Sequence, residues 1–362
     1  MRISRKWFFV IAAMVCVSAA RLHTPSPATP LSISYPAYFG NRFSIPAGNP
    51  VTQQGVYLGR MLFYETALSA GNTLSCASCH RQALAFTDGE PFSRGADSTL
   101  QPRNTMSLAN LLWTKRFFWD GRVSGLEKQA ETPLTRPHEM GQSLDTSVLK
   151  LRRKGFYGAR FLEAFGSDTI TADKIMKALA QFERTLVSAD SRYDRYLQGQ
   201  YMPTASELSG MQLFFTAPDP ARRIRGAACA HCHGGPKTYS ELFHNNGLDS
   251  ISSDAGMEII SGQLTDRGRF KAVSLRNIAL TAPYMHDGRF KTLEEVVTHY
   301  SGLSPRPFLS PFLQNKSNTR KGTSLSLTAK EQGDLVAFLR LLTDSTFIKD
   351  PRFSNPFTPA HL

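Results

Sequence analysis

Cysteine is scarce in this chain, with 5 in 362 residues, too few for a disulfide framework to hold a protein of this length. Long apolar runs are missing as well. The one clear run, Phe8 to Val17, is too short to span a bilayer, and no later stretch would span one. No sustained apolar–polar alternation occurs, which excludes a large sheet. Acidic residues are in deficit: Asp+Glu 29 stand against Lys+Arg 42, for a net charge of +13. Such a surface could face an acidic protein, anionic lipid or nucleic acid. Nothing beyond charge points to nucleic acid, so none is expected. With 41% hydrophobic and 20% charged residues, the chain is globular rather than disordered. Its length allows two or three domains.

Residues 1–20 have the layout of an export signal. Arg2, Arg5 and Lys6 form a positive start, Phe8 to Val17 an apolar centre, and Val17-Ser18-Ala19 or Ser18-Ala19-Ala20 a small-residue cleavage site. The expected location is the periplasm. Lipid anchoring through Cys16 is the alternative, but Val15 stands where a lipoprotein signal wants a small residue. Residues 21–34 are rich in Pro, Ser and Thr and read as a tether, within a linker that runs to residue 47.

The other four cysteines form two copies of one pattern: Cys76-Ala77-Ser78-Cys79-His80 and Cys229-Ala230-His231-Cys232-His233. C-x-x-C-H is the attachment signature of c-type haem. Two thiols on one short turn can bond the two vinyl groups of a porphyrin, and the adjacent histidine sets its imidazole under the iron. A zinc site sharing the four cysteines is the competing reading. Two copies on an exported chain favour two covalent haem c groups, with His80 and His233 as proximal ligands.

The surroundings of the two motifs also repeat. Leu58-Gly59-Arg60-Met61-Leu62-Phe63 precedes the first and Ser209-Gly210-Met211-Gln212-Leu213-Phe214 the second. After them come Arg103-Asn104 and Arg276-Asn277, then Asp120-Gly121-Arg122 and Asp287-Gly288-Arg289, then Leu126-Glu127 and Leu293-Glu294. A long helix is expected over Ala172 to Leu197 between the halves, and a last one from Thr328, capped by Glu331. The expected fold is mainly α: two cytochrome c-like haem domains related by duplication, over 48–200 and 201–350, with long loops and little sheet.

The sixth iron ligand then decides the chemistry, because an open iron can bind peroxide and a filled one mostly moves electrons. The step from the shared Leu-Glu that reaches Pro133 in the first half reaches Tyr300 in the second. Proline cannot ligate and tyrosine can, so an open first haem and a filled second one are expected. Met257, Met285, His286 and His299 are other candidate ligands, and spacing alone leaves them open.

These motifs, over roughly residues 48–345, resemble the bacterial di-haem cytochrome c peroxidases and the related MauG-type enzymes. The shared elements include Phe118-Trp119-Asp120-Gly121-Arg122, Leu126-Glu127-Lys128-Gln129-Ala130, Glu139-Met140, and Pro283-Tyr284-Met285-His286-Asp287-Gly288. The resemblance implies a peroxidatic first haem and an electron-transfer second one. It assigns Gln129 and Glu139 to the distal pocket beside Pro133, and Trp119 to the space between the haems. It puts a calcium ion at the Asn104 side chain and the carbonyls of Thr281 and Pro283. Many such peroxidases carry a distal histidine on the loop after the first haem. Here that loop, Arg81 to Pro102, has none, which implies a form that needs no reductive activation. Many carry Met where Tyr300 falls, whereas the MauG type carries Tyr.

The chemistry agrees with these assignments. A carboxylate in a partly dry pocket can move a proton between peroxide oxygens, and an amide can orient the peroxide. The function read from the sequence is therefore a peroxidase that turns hydrogen peroxide into water with electrons from a small c-type cytochrome or cupredoxin. A MauG-like oxidase that modifies Trp or Tyr of a partner protein is the alternative. A plain electron-transfer cytochrome is disfavoured by Pro133 and the histidine-free loop. A homodimer is compatible with all three.

Overall fold

The structure, a computed structural model, describes residues 27–314, 316–319 and 322–358. The export signal and Cys16 lie outside the described residues. In chain order the elements are α1 (Gln53–Phe63), α2 (Cys76–Cys79), β1 (Arg116–Phe117), β2 (Val123–Ser124), α3 (Leu126–Thr135), α4 (Leu144–Arg153), α5 (Tyr157–Phe165) and α6 (Ala172–Arg184). They continue with α7 (Arg192–Leu197), α8 (Ala205–Phe215), β3 (Phe243–His244), α9 (Glu258–Ser261), β4 (Phe270–Lys271), α10 (Leu293–Ser301) and α11 (Ala329–Leu341). β1 pairs antiparallel with β2, and β3 with β4, over two residues each. The fold is mainly helical with little sheet, as expected.

Each half is organised by one helix crossing. Thr52 caps α1 by accepting from Gly55 N–H, and Thr204 caps α8 in a box with Glu207. α1 lies across α6 and α8 across α11. Both crossings pass through glycine: a Cβ at Gly59 would sit 1.9 Å from the Ala178 carbonyl oxygen, and one at Gly210 1.8 Å from that of Asp334. This contact explains why Gly59 and Gly210 recur at matched places. Around the first crossing Leu58, Leu62, Phe63, Phe86, Leu134 and Phe182 form one core. Around the second, Phe214, Tyr284, Val297, Leu335 and Phe338 form another.

The repeat runs deeper than the motifs but in a different register at one point. Asn110 and Asn277, not Asn104 and Asn277, are equivalents. Both adopt left-handed backbone, at φ 62° and 63°, which asparagine tolerates. Their N–H groups donate to Leu186 O at 2.8 Å and Leu342 O at 2.9 Å. The Arg-Asn dipeptide of the first half is a coincidence of sequence, and Arg103 instead pairs with Asp120 at 2.6 Å and Asp254 at 2.7 Å. Matched ion pairs tie α3 to α6 (Glu127–Arg184, 2.8 Å) and α10 to α11 (Glu294–Arg340, 2.9 Å).

Two other expectations change. The helix over Ala172–Leu197 is two helices, because Ser188 and Ser191 turn their hydroxyls to Asp344 and Asp194 and Ser191 recaps α7 in a box with Asp194. Tyr193 of α7 joins the second core, and a fully buried ion pair joins Asp194 to Arg276. The described part of the linker is docked rather than free. Tyr35, Phe39 and Phe43 set their rings edge-on around Trp113, with centroids 5.2–5.8 Å away, and Trp113 Nε1 donates to Gly40 O at 2.9 Å. The tail after α11 returns to the first half. Phe347 and Phe353 enter its core, while Arg60 and Tyr64 bond carbonyls of Pro351, Arg352 and Phe353.

Helix propensity alone would make Gly59→Ala stabilising by up to about 1 kcal/mol. The clash with a backbone carbonyl outweighs that. We expect Gly59→Ala to lose about 1–3 kcal/mol and to unfold at lower temperature. Gly48→Ala, whose Cβ would meet nothing within 4 Å, serves as the control and should leave thermal unfolding nearly unchanged.

Candidate active site

The first motif opens on a cavity of about 550 Å³. Cys76 and Cys79 lie on the single turn of α2, and His80 follows with its N–H on Cys76 O at 2.9 Å. The chain then makes a tight turn through Ala85 and Phe86, both at positive φ. This turn aims Phe86 O at His80, whose Nδ1 donates to it at 2.8 Å. Nε2 is thereby left as the ligating nitrogen, and the tautomer is fixed. Burial holds the imidazole below its usual pKa, so the ring is neutral, as a metal ligand must be.

The second motif repeats this geometry. His233 N–H bonds Cys229 O at 2.9 Å, and His233 Nδ1 donates to Val273 O at 2.9 Å. Burial pushes this imidazole down to about 4. All four thiols are pushed up by burial: Cys79 and Cys232 to about 11, Cys229 to about 12, and Cys76 in the same direction. The two pairs line separate cavities. Among the described residues no three His, Cys, Asp or Glu side chains are grouped to hold a metal ion, so a shared zinc site falls away. Each cavity instead offers paired thiols and one oriented neutral imidazole, the donor set of a covalently held haem.

Gln129, Pro133 and Glu139 all line the first cavity, and among the described residues His80 is the one histidine that lines it. Gln129 and Pro133 come from α3. Gln129 Oε1 is buried with no partner, an acceptor free for a ligand in the cavity. Glu139 follows α3, with Arg136 Nη1 donating to it at 3.3 Å. Burial raises its carboxyl pKa, with the Arg136 and Arg122 guanidinium groups opposing. The histidine-free loop is tied to this segment: Ala96 N–H donates to Glu139 O at 2.6 Å, and Gln101 Nε2 donates to His138 O.

Tyr300 lines the second cavity at the helix position matching Pro133, and that cavity measures only about 210 Å³. Met285, His286 and His244 line it too. Asn246 Nδ2 lies 3.4 Å from both Met285 Sδ and Tyr300 Oη, so these two candidate ligands converge on one spot. His286 is instead stacked on Phe270, with centroids 3.7 Å apart. His299 Nε2 bonds Asn246 O at 3.0 Å. His299 and Met257 do not line the cavity. Burial pushes the Tyr300 phenol up to about 12, so it keeps its proton at neutral pH unless a cation beside it takes the phenolate.

Trp119 lines both cavities and a smaller one between them. Its Nε1 donates to Asn104 O at 2.8 Å. Asn104, Thr281 and Pro283 line the small cavity together. Asn104 Nδ2 is committed to Glu90 O at 2.8 Å, which points the amide oxygen the other way. One amide oxygen and two carbonyls are hard neutral donors that fit calcium completed by water.

Sequence reasoning missed Asn246, whose place in His244-Asn245-Asn246-Gly247 has no counterpart in the first half. It also missed Glu183, on α6 and lining the first cavity. Setting Phe182-Glu183-Arg184 against Phe338-Leu339-Arg340 would have exposed the latter as an intrusion into an apolar position.

Known proteins resemble this chain in sequence and fold. The sequence model of the family described as di-haem cytochrome c peroxidase matches residues 53–202. The methylamine utilization protein MauG of Methylophilus methylotrophus is 33% identical over 301 residues, 83% of this chain and 86% of that protein. The cytochrome c551 peroxidase of Nitrosomonas europaea is 32% identical over 87% of this chain and 86% of its own length. The crystal structure of a MauG-like protein associated with microbial copper homeostasis aligns with a TM-score of 0.80 at 37% identity, covering 91% of this chain and 100% of that one.

Proposed function

This chain belongs to the di-haem cytochrome c peroxidase family, and on that premise we propose that it is an exported, periplasmic peroxidase taking electrons from a small c-type cytochrome or cupredoxin. The reaction is H₂O₂ + 2 e⁻ + 2 H⁺ → 2 H₂O. The observation that carries this reading is the convergence of Cys76, Cys79, His80, Gln129, Pro133 and Glu139 on one cavity. Residues 48–200 hold the peroxidatic haem c through Cys76 and Cys79. Residues 201–350 hold the electron-transfer haem c through Cys229 and Cys232. Bound there, the haems supply the redox-active iron on which peroxide is reduced and by which electrons arrive.

The residues handle the protons and the route. Glu139, ionised, takes a proton at a carboxylate oxygen from the peroxide and returns it to the departing oxygen, so its raised pKa makes it both a usable base and a usable acid. Gln129 orients the peroxide, its free Oε1 accepting and its amide donating. Pro133 brings no ligating side chain into this cavity and would leave that face of a bound haem open. Trp119 spans the wall between the cavities as an electron relay. Asn104, Thr281 and Pro283 hold a calcium ion that fixes the Asn104–Trp119 contact. No helix among the described residues is long and apolar enough to cross a membrane.

Tyr300 favours a second reading. Tyr300 could hold the second iron as a phenolate, which would stabilise the ferric state and lower the potential. That suits the storing of oxidising equivalents for use on a Trp or Tyr of a partner protein, in the manner of MauG-type enzymes.

Three outcomes check these proposals. The as-isolated ferric protein contains a high-spin haem that binds peroxide without pre-reduction; purely low-spin iron that reacts only after one electron is added would exclude an open first site. Glu139→Gln retains both haems and loses turnover by about 10²–10⁴-fold, measured with peroxide and a reduced small cytochrome. Tyr300→Phe raises the potential of the second haem. A thioether-to-iron band in the near-infrared spectrum of the wild type, or an unmoved potential in the variant, would assign Met285 as the ligand.

A further inference from the structure

The two halves give the same helix position opposite chemistry. On α11, Leu335 and Leu339 line the second cavity; on α6, Leu179 and Glu183 line the first. The helices are in register, since Arg184 and Arg340 follow these positions and make the matched pairs with Glu127 and Glu294. Glu183 is 5% exposed. Its Oε2 is buried with no hydrogen-bond partner. Arg184 Nη2 is bonded to both carboxylate oxygens of Glu127, at 2.8 and 2.9 Å, and its Nη1 is buried without a hydrogen-bond partner, so the neighbouring guanidinium acts on Glu183 through its charge and not through a hydrogen bond. A leucine there would cost nothing in desolvation, as Leu339 demonstrates. A buried, unpaired carboxyl facing a cofactor cavity is expensive and flags function.

We propose that Glu183 is a proton-holding residue that tunes the first haem, taking a proton from solvent when an electron arrives in that cavity and releasing it when the electron leaves. The inference rests on the reading of the first cavity as a haem site. The step balances: one electron from the donor and one proton from water enter together, and the carboxylate becomes the carboxylic acid. Burial pushes this carboxyl up to about 8, with Arg184 opposing and Glu127 adding to the rise. Cys76 of α2 is the other ionisable group that feels it, and in the haem-bound protein it is a thioether. α1 and α4 also pack on α6 and contribute no charge to its environment. Its acid and base forms are therefore both accessible near neutral pH. Ionised, it would set a negative charge in the cavity that holds the haem and would favour the oxidised form. In the second half Leu339 carries no proton, so the second haem lacks this coupling.

The test is a mediated redox titration of the holoenzyme at several pH values, with Glu183→Gln and with Glu183→Leu, the latter copying the second half. In the wild type the potential of the His80 haem falls as pH rises between about 7 and 9. In both variants that slope is lost, while the His233 haem is unchanged. Redox-difference infrared spectra of the wild type show a protonated-carboxyl band that appears on reduction and is missing in Glu183→Gln. The slope persisting in loaded variants, or no carboxyl band in the wild type, would overturn the assignment of Glu183 alone. A haemochrome assay finding haem only at the Cys229–Cys232 site of the wild type would instead remove the haem reading of the first cavity, and this proposal with it.

Discussion

Everything in each half is placed by one close contact between backbones. Where α1 meets α6 and α8 meets α11, glycine lets a helix settle against a carbonyl of its partner. Any Cβ would force the axes apart. Because this contact sets the rotation of α6 and α11, it decides which of their side chains reach the cavities: Leu179 with Glu183 in one half, Leu335 with Leu339 in the other. The asparagine turns at Asn110 and Asn277 are hung from the ends of the same helices through Leu186 O and Leu342 O. They carry the segments bearing Trp119 and Met285. A protein interior packed at crystal-like density passes such a constraint on with little loss.

A shared frame with exchanged side chains is an economical way to make two unlike sites. The histidines are held identically, by a backbone carbonyl on Nδ1 at nearly the same distance. The exchanges that make the two sites unlike lie at positions that face the cavities. Proline stands against tyrosine at 133 and 300, tryptophan against histidine at 119 and 286, and glutamate against leucine at 183 and 339. At 133 and 300 the first half is left open and the second filled; at 183 and 339 the first bears a carboxyl and the second is apolar. The larger first cavity follows from this.

Much of this was legible in the sequence, because attachment motifs and helix faces are local patterns. The C-x-x-C-H pairs, the capping boxes at Thr204 and Thr328, and the matching of Pro133 with Tyr300 needed only spacing. What stayed hidden depended on contacts between distant segments. The aromatic strap over 35–43 reads as part of a linker because its binding partner, Trp113, is far along the chain. The break between α6 and α7 comes from serine hydroxyls recruited by Asp194 and Asp344, and Asp344 lies in the other half. Arg103-Asn104 imitates Arg276-Asn277 in letters but not in backbone, since only Asn110 and Asn277 adopt the left-handed turn. Glu183 was passed over because a Glu between Phe and Arg on a helix reads as solvated; only the tilt set by the Gly59 crossing turns it inward.

The halves must also be held at a fixed separation if electrons are to pass between their cavities. Three ties accomplish this at different depths. The innermost is Arg276–Asp194, wholly buried, with the guanidinium lying over the rings of Phe39 and Tyr193 at 5.1 and 5.5 Å. It thus joins α7, the strap and the second core. The next is Lys271, which lines all three cavities. Its N–H donates to Trp119 O at 2.8 Å and its ammonium meets Glu241 at 2.6 Å. Breaking either partner would strand a buried charge, which is far costlier than losing an exposed pair. The outermost tie is the tail whose Phe347 and Phe353 enter the first core after the chain has completed the second. Trp119 stands at the centre of these ties with its indole N–H fixed on Asn104 O. It cannot change its distance to either cavity without disturbing a buried ion pair or an aromatic core, so the wall between the two sites is rigid by construction.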